Sequence, residues 1–143
     1  MTVEEKIRSN FGSQMFMTTI AAALSSVGRG SVEIRFPFSQ KLTQQNGYVH
    51  AGVITSIMDS ACGYAALSLA PEDADVLSVE FKVNLLSPAI GDSFLTRAHV
   101  KRSGKTLAVC SADAFAIQRG NEKLIATMLA TMIHVVPGQS AGS

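Results

Sequence analysis

Apolar and polar residues along this chain fall into two periods, and the change between them sets out the elements. Residues 2–11 carry an amphipathic helical pattern. The run IAAALSSV within 15–27 fits either a helix or a strand by period alone. Gly28-Arg29-Gly30 is turn chemistry, and SVEIRFPF sets Val32, Ile34 and Phe36 against Glu33 and Arg35. This predicts a hairpin with 18–27 as its first strand. A loop over 38–49 then leads to one long helix, His50 to Leu69, ended by Ala70-Pro71. Every later segment alternates with period two. Val79, Phe81, Val83 and Leu85 face away from Glu80, Lys82 and Asn84, and strands follow at 93–102, 106–117 and 123–136. RSGK at 102–105 and Arg119-Gly120-Asn121 are the turns between them. The tail from 137 to 143 is small and polar and is expected to be flexible.

One helix cannot cover a broad sheet on both faces. A curved antiparallel sheet of about six strands wrapped round a single apolar helix satisfies the pattern. That is the α+β arrangement called the hotdog fold, here a single domain over 1–143 with residues 1–14 as an N-terminal extension.

Composition narrows the reading. Apolar residues make up 47% of the chain and charged ones 16%, a lean surface that predicts cover by another copy of the chain. A net charge of +1, with 12 basic and 11 acidic residues and no basic stripe, excludes nucleic acid as the expected partner. Cys62 and Cys110 lie in apolar segments without metal-ligand spacing and read as buried thiols in a reducing compartment. The charged N-terminal MTVEEKIRSNF is not an export signal, so a cytoplasmic setting is expected. Val49 to Ala70 is long enough to span a membrane. Asp59 at its middle, His50, Gly52, Gly63 and the lack of a second span argue against that.

Asp59 is the one formally charged side chain between His50 and Pro71. No Lys or Arg stands three or four positions away to neutralise it. A buried carboxylate without a partner is costly. It is either held by a backbone amide or water at a subunit contact, or it is a general base or nucleophile whose pKa burial raises. His50 stands at the helix N-terminus, where unpaired N–H groups collect. There His50-Ala51-Gly52 can present backbone donors to an oxyanion with little side-chain bulk, Gly52 included. Simple capping would also account for that turn. The nine residues from His50 to Asp59 span about 13–14 Å of helix, too far for one small site within one chain. His99 and His134, on ordinary strands, read as structural.

The run QQNGYVHAG followed by ITSIMDSA resembles the signature of the PaaI-type acyl-CoA thioesterases of the hotdog superfamily. That signature has Asn or Gln six residues before a His-Gly-Gly, and an acid nine after the histidine. Gln44, His50 and Asp59 hold these positions, and Gly47 stands where a glycine is common. Similarity continues through SVEFKVN, LLSPA and VKRSGKTLAVCSAD, over about residues 15–136. Ala51 departs from the first glycine of the motif, and Gly63 from a hydroxyl that some relatives have.

The resemblance implies an acyl-CoA thioesterase without metal or other cofactor, with coenzyme A present only as part of the substrate. By the same likeness, Asp59 attacks the thioester or activates water, and the Ala51 N–H stabilises the oxyanion. His50 polarises the carbonyl, Gln44 orients the water or the acid, and Ser78 lies near the acid. Arg102 and Lys105 would meet coenzyme A phosphates. Met58, Cys62, Tyr64 and Phe81 are candidates for an acyl pocket. A dimer is implied, and a tetramer built from two dimers. The alternatives are a hydratase or dehydratase acting on acyl thioesters, and a non-catalytic acyl-CoA-binding protein.

Overall fold

The structure, a computed structural model, describes residues 1–137; all but the first residue of the 137–143 tail lies outside them. Two short helices, α1 (Val3–Ser13) and α2 (Met15–Ile20), precede the hairpin β1 (Ala23–Gly28) and β2 (Ser31–Pro37). The long helix α3 (Ala51–Leu67) follows, then β3 (Asp75–Leu85), β4 (Ser93–Ser103), β5 (Leu107–Gln118) and β6 (Asn121–Val135). All pairings are antiparallel. The order across the single sheet is β1-β2-β4-β5-β6-β3. This is the expected hotdog architecture, with β3 carried by the helix connection to the far edge.

The sheet can wrap α3 closely because the facing positions are small. On β5, Ala108, Cys110, Ala112, Ala114 and Ala116 are all buried, and on α3 so are Ala61, Ala65 and Ala66. Met58, Met128 and Met132 fill the remaining space. Ser68 is buried without penalty. Its hydroxyl donates to the Ala65 carbonyl and accepts from the Gly30 N–H at 2.6 Å, tying the first hairpin to the end of α3. No helix among the described residues is long and apolar enough to cross a membrane.

Two local expectations change. Residues 18–27 are not one strand, because the chain is helical to Ile20 and then turns at Ala21 in the left-handed region (φ 61°). Met17 and Ile20 are buried against the core, so packing resolves a stretch that period alone leaves open. The second change is in β3. It pairs with β6 from Asp75 onward, four residues earlier than the alternation predicts, and a bulge falls at Val79 between Ser78 and Glu80. Phe81, Val83 and Leu85 stand opposite Ala130, Met128 and Ala126 on the helix side, as expected. The bulge moves Val79 out of that set and brings Ser78, opposite Met132, onto the helix side as well.

Candidate active site

The loop before α3 is built to hold a helix terminus open. The Gln44 N–H donates to the Tyr48 carbonyl, and the Gln44 carbonyl accepts from Gly47, which sits at φ +83°. The Gln44 side-chain oxygen also turns inward, accepting from the Asn46 and Tyr48 N–H groups. Its amide –NH₂ remains the group able to face a ligand, so Gln44 can serve as a donor. Val49 is buried, and its N–H bonds to the Ala89 carbonyl, while that of His50 bonds to the Leu42 carbonyl.

His50 is the N-cap of α3. Its Nδ1 accepts from the Gly52 N–H at 2.7 Å, which puts the proton of the neutral ring on Nε2. Gly52 is required by contact rather than by torsion. A Cβ there would stand 2.9 Å from Nδ1 and 3.2 Å from Cε1. The Ala51 N–H, the first of the helix, makes no hydrogen bond among the described residues. Ala51 is not among the positive-φ residues. Alanine in place of the motif's first glycine therefore costs no backbone strain and keeps the donor. Gln44, Val49, His50 and Ala51 line a cleft of about 550 Å³ shared with Leu85, Leu86 and Pro88.

Asp59 opens elsewhere. It is half-buried rather than enclosed, and the Ser78 hydroxyl donates to its Oδ1 at 2.6 Å. Asp59 and Ser78 border a second pocket of about 200 Å³, together with Gly63, Tyr64 and the first four residues of β3. Asn10 of α1 and Gln14, between the two N-terminal helices, complete its wall. Sequence reasoning missed both. A string of hydrogen bonds joins them to α3. Ser60 donates to Gln14 Oε1 (3.2 Å), Gln14 Nε2 donates to the Tyr64 hydroxyl (3.2 Å), and that hydroxyl donates to Asn10 Oδ1 (3.0 Å). Burial pushes the Tyr64 phenol up to about 12, so it stays protonated as a donor at neutral pH.

Within one chain, the structure brings Asp59, Ser78 and Tyr64 together. It brings Gln44, His50, Ala51 and the neighbouring Gly52 together separately, at the other end of the exposed half of α3. Met58 and Cys62 are fully buried in the core and border neither pocket. Burial pushes both thiols up, Cys110 to about 11 and Cys62 further, with Cys110 and Asp59 adding to the effect at Cys62. Phe81 is 43% exposed on the free edge of the sheet. Arg102 and Lys105 are exposed around the β4–β5 turn and form no ion pair among the described residues. Both imidazole nitrogens of His134 are buried without a partner, whereas His99 Nε2 meets the Ser111 hydroxyl at 3.0 Å. No group of three His, Cys, Asp or Glu among the described residues could hold a metal ion.

Residues 46–123 match the family model of the thioesterase superfamily. A thioesterase family protein of Silicibacter pomeroyi is 46% identical and superposes with a TM-score of 0.92 over 94% of this chain and 98% of that one. Acyl-coenzyme A thioesterase 13 of Homo sapiens is 31% identical over 72% of each chain. The E. coli PaaI protein from the phenylacetic acid degradation operon shares the fold, with a TM-score of 0.83 over 93% of each chain at 16% identity.

Proposed function

The chain belongs to the thioesterase superfamily and is a thioester hydrolase; from that premise we propose that it hydrolyses acyl-CoA thioesters in a site completed by two subunits. One observation carries this reading. The acid pocket and the donor cleft of a single chain open separately, yet both are bordered by β3. Its first residues, Asp75 to Ser78, line the acid pocket, and its last, Leu85, lines the cleft. β3 is also an edge strand, paired with β6 on one side and with no strand among the described residues on the other. Leu77, Val79, Phe81 and Leu85 are each 43–56% exposed on it, a template for a further strand. Two copies of β3 paired antiparallel about a two-fold axis near mid-strand would set the start of one against the end of the other. The acid pocket of one subunit then abuts the donor cleft of its partner, twice per dimer.

In such a site the thioester oxygen accepts from the Ala51 N–H at the positive end of the α3 dipole. Nε2–H of His50 and the Gln44 amide are further donors to the carbonyl. Asp59 comes from the other subunit, with Oδ1 held by Ser78 and Oδ2 available. It takes a proton from the attacking water, or itself attacks the carbonyl carbon to form an anhydride that water then opens. In either route the C–S bond breaks with its electron pair on sulfur, a proton is delivered to the thiolate, and the products are a free acid and coenzyme A. Water and these side chains complete the cycle without any further cofactor. Arg102 and Lys105 supply positive charge for coenzyme A phosphates.

A hydratase or dehydratase would need two proton-transfer groups facing one acyl carbon. A single acid opposed by N–H donors fits addition to a carbonyl better. Release of free thiol from a panel of acyl-CoAs tests hydrolysis, and Asp59→Asn is expected to lose about a hundredfold or more. Mixing inactive Asp59→Asn with inactive His50→Ala should restore part of the activity through hybrid dimers. Full activity in the Asp59→Asn protein sinks the role of the acid. Failure of rescue, once subunit exchange is demonstrated, sinks the shared site.

A further inference from the structure

The pocket beside Asp59 carries more information than hydrolysis requires. Of its eleven lining residues, two are acidic, Asp59 and Asp75, and none is Lys or Arg. A carboxylate entering it would meet like charge with nothing to neutralise it. The rest of its polar wall is uncharged and ordered in one direction. Ser60 donates to Gln14, Gln14 to Tyr64, and Tyr64 to Asn10. Among the described residues one N–H of Gln14 is used and the other is not. The amide hydrogens of Asn10, which is exposed to solvent, and the Ser60 lone pairs are likewise without a partner among them. On the β3 side of the pocket, Asp75 Oδ1 already accepts from the Val76 N–H, and the carboxylate retains further acceptor capacity.

Size sets the second limit. An enclosed apolar cavity of about 150 Å³ holds benzene, so the part of this open pocket that one chain walls, about 200 Å³, has room for about six carbons and one polar atom. Gly63 keeps part of this space, since a Cβ there would meet nothing within 4 Å.

We propose that this pocket is the acyl subsite, and that Asn10 and Gln14 of the N-terminal segment make it select a short acyl group with an uncharged hydroxyl at its far end. The inference rests on the acyl-CoA hydrolysis described above. A hydroxyl both donates and accepts, so it can satisfy the spare amide hydrogens and the Ser60 or Asp75 acceptors together. A methyl end leaves those groups unpaired once water is expelled, and a carboxylate end adds repulsion. The N-terminal helices are then part of substrate recognition rather than a dispensable extension.

Hexanoyl-, 6-hydroxyhexanoyl- and adipoyl-CoA form a matched series in which only the far end changes. Decanoyl-CoA tests the size limit. In the intact protein, kcat/KM for the hydroxyl member should exceed that for hexanoyl by about tenfold and that for adipoyl by about a hundredfold, with decanoyl lowest. Gln14→Leu and, separately, Asn10→Leu should bring the hydroxyl-to-methyl ratio towards one. Two single variants guard against a folding defect in either, which thermal melting would reveal. Equal rates on the hydroxyl and methyl members, efficient turnover of adipoyl-CoA, or a ratio that survives in both variants overturns the proposal. Hydrolysis of any member without that preference leaves the thioesterase reading standing and removes only the subsite. If no member is hydrolysed, affinities of hexyl- and 6-hydroxyhexyl-CoA thioethers, measured by calorimetry, give the same ratio without turnover, and equal affinities overturn it.

Discussion

Gly63 sits in the interior of α3, where glycine is a poor helix former. Replacing it with alanine removes about 1 kcal/mol of unfavourable backbone entropy. Normally part of that gain is lost to crowding, but here the new methyl group meets no heavy atom within 4 Å. The full amount should therefore appear as added stability, roughly a fivefold change in the folded-to-unfolded ratio. For a domain of this size that is about 3–5 °C in Tm. The melt should be run at one protein concentration, because the proposed dimer would shift its Tm by mass action. The same methyl group projects into the pocket beside Asp59, so turnover of six-carbon acyl-CoAs should fall while acetyl-CoA, which does not reach that far, is little affected. A protein more stable and less active on six-carbon substrates would mean that the helix keeps a weak position for the sake of the space. A lower or unchanged Tm would refute the reasoning, because it would mean that a group outside this chain's described residues already fills the space.

Other perturbations test separate parts of the structure. Gly52→Ala should displace the His50 imidazole, given the 2.9 Å approach to Nδ1, and cost about 1 kcal/mol of stability through the lost cap. Its kcat should fall more than its KM rises; an unchanged kcat would separate the cap from catalysis. The thiols give a pH dependence. The folded state holds the Cys110 proton up to about 11 against an ordinary 9.0, and that of Cys62 higher still. Below pH 9 this stabilisation is fully present. Above it the unfolded chain releases protons that the folded one retains, so stability should decline through pH 9–11, with each thiol contributing up to one proton to the slope. Chemical denaturation at pH 8, 9.5 and 10.5 checks the decline, and Cys110→Ala should flatten it.

The sequence announced the donor half of the site well because that half is local. Gln44, Gly47, His50 and Gly52 act within nine residues, through a turn and a cap whose geometry follows from residue type and spacing. Even there, one detail is set by the folded loop and not by residue type. The Gln44 oxygen is spent on its own loop, and only its donors remain for a ligand. The acid half was legible as a residue and not as a place. Asp59 stood out by charge, but its partner Ser78 reaches it through a bulge at Val79 that alternation cannot reveal, since one extra residue leaves the apolar pattern on both sides intact. Met58 and Cys62 were poor pocket candidates for a related reason. They lie one position before and three after Asp59, which on a helix puts both to the same side of it, about 100° and 60° round, and on that side the sheet covers them.

The least legible part was the N-terminal segment, and its case decides how much weight an acyl-group assignment by motif can bear. Asn10 and Gln14 contact Tyr64 and Ser60 across 54 and 46 residues of chain, and no local pattern marks them. Their positions depend instead on where Ile7, Met17 and Ile20 bury against the core, which fixes how α1 and α2 approach the open side of α3. In the proposed site the reaction is carried by residues inside the motif, whereas the far end of the acyl group would meet residues outside it. Two chains with the same glutamine, histidine and acid can thus share a mechanism and differ in substrate wherever their first twenty residues differ. Exchanging residues 1–20 with those of a relative, while keeping the remainder of the chain, should move the acyl preference with the exchanged segment and leave the effect of Asp59→Asn unchanged. A preference that stays with the remainder of the chain would instead assign selectivity to α3 and β3 alone.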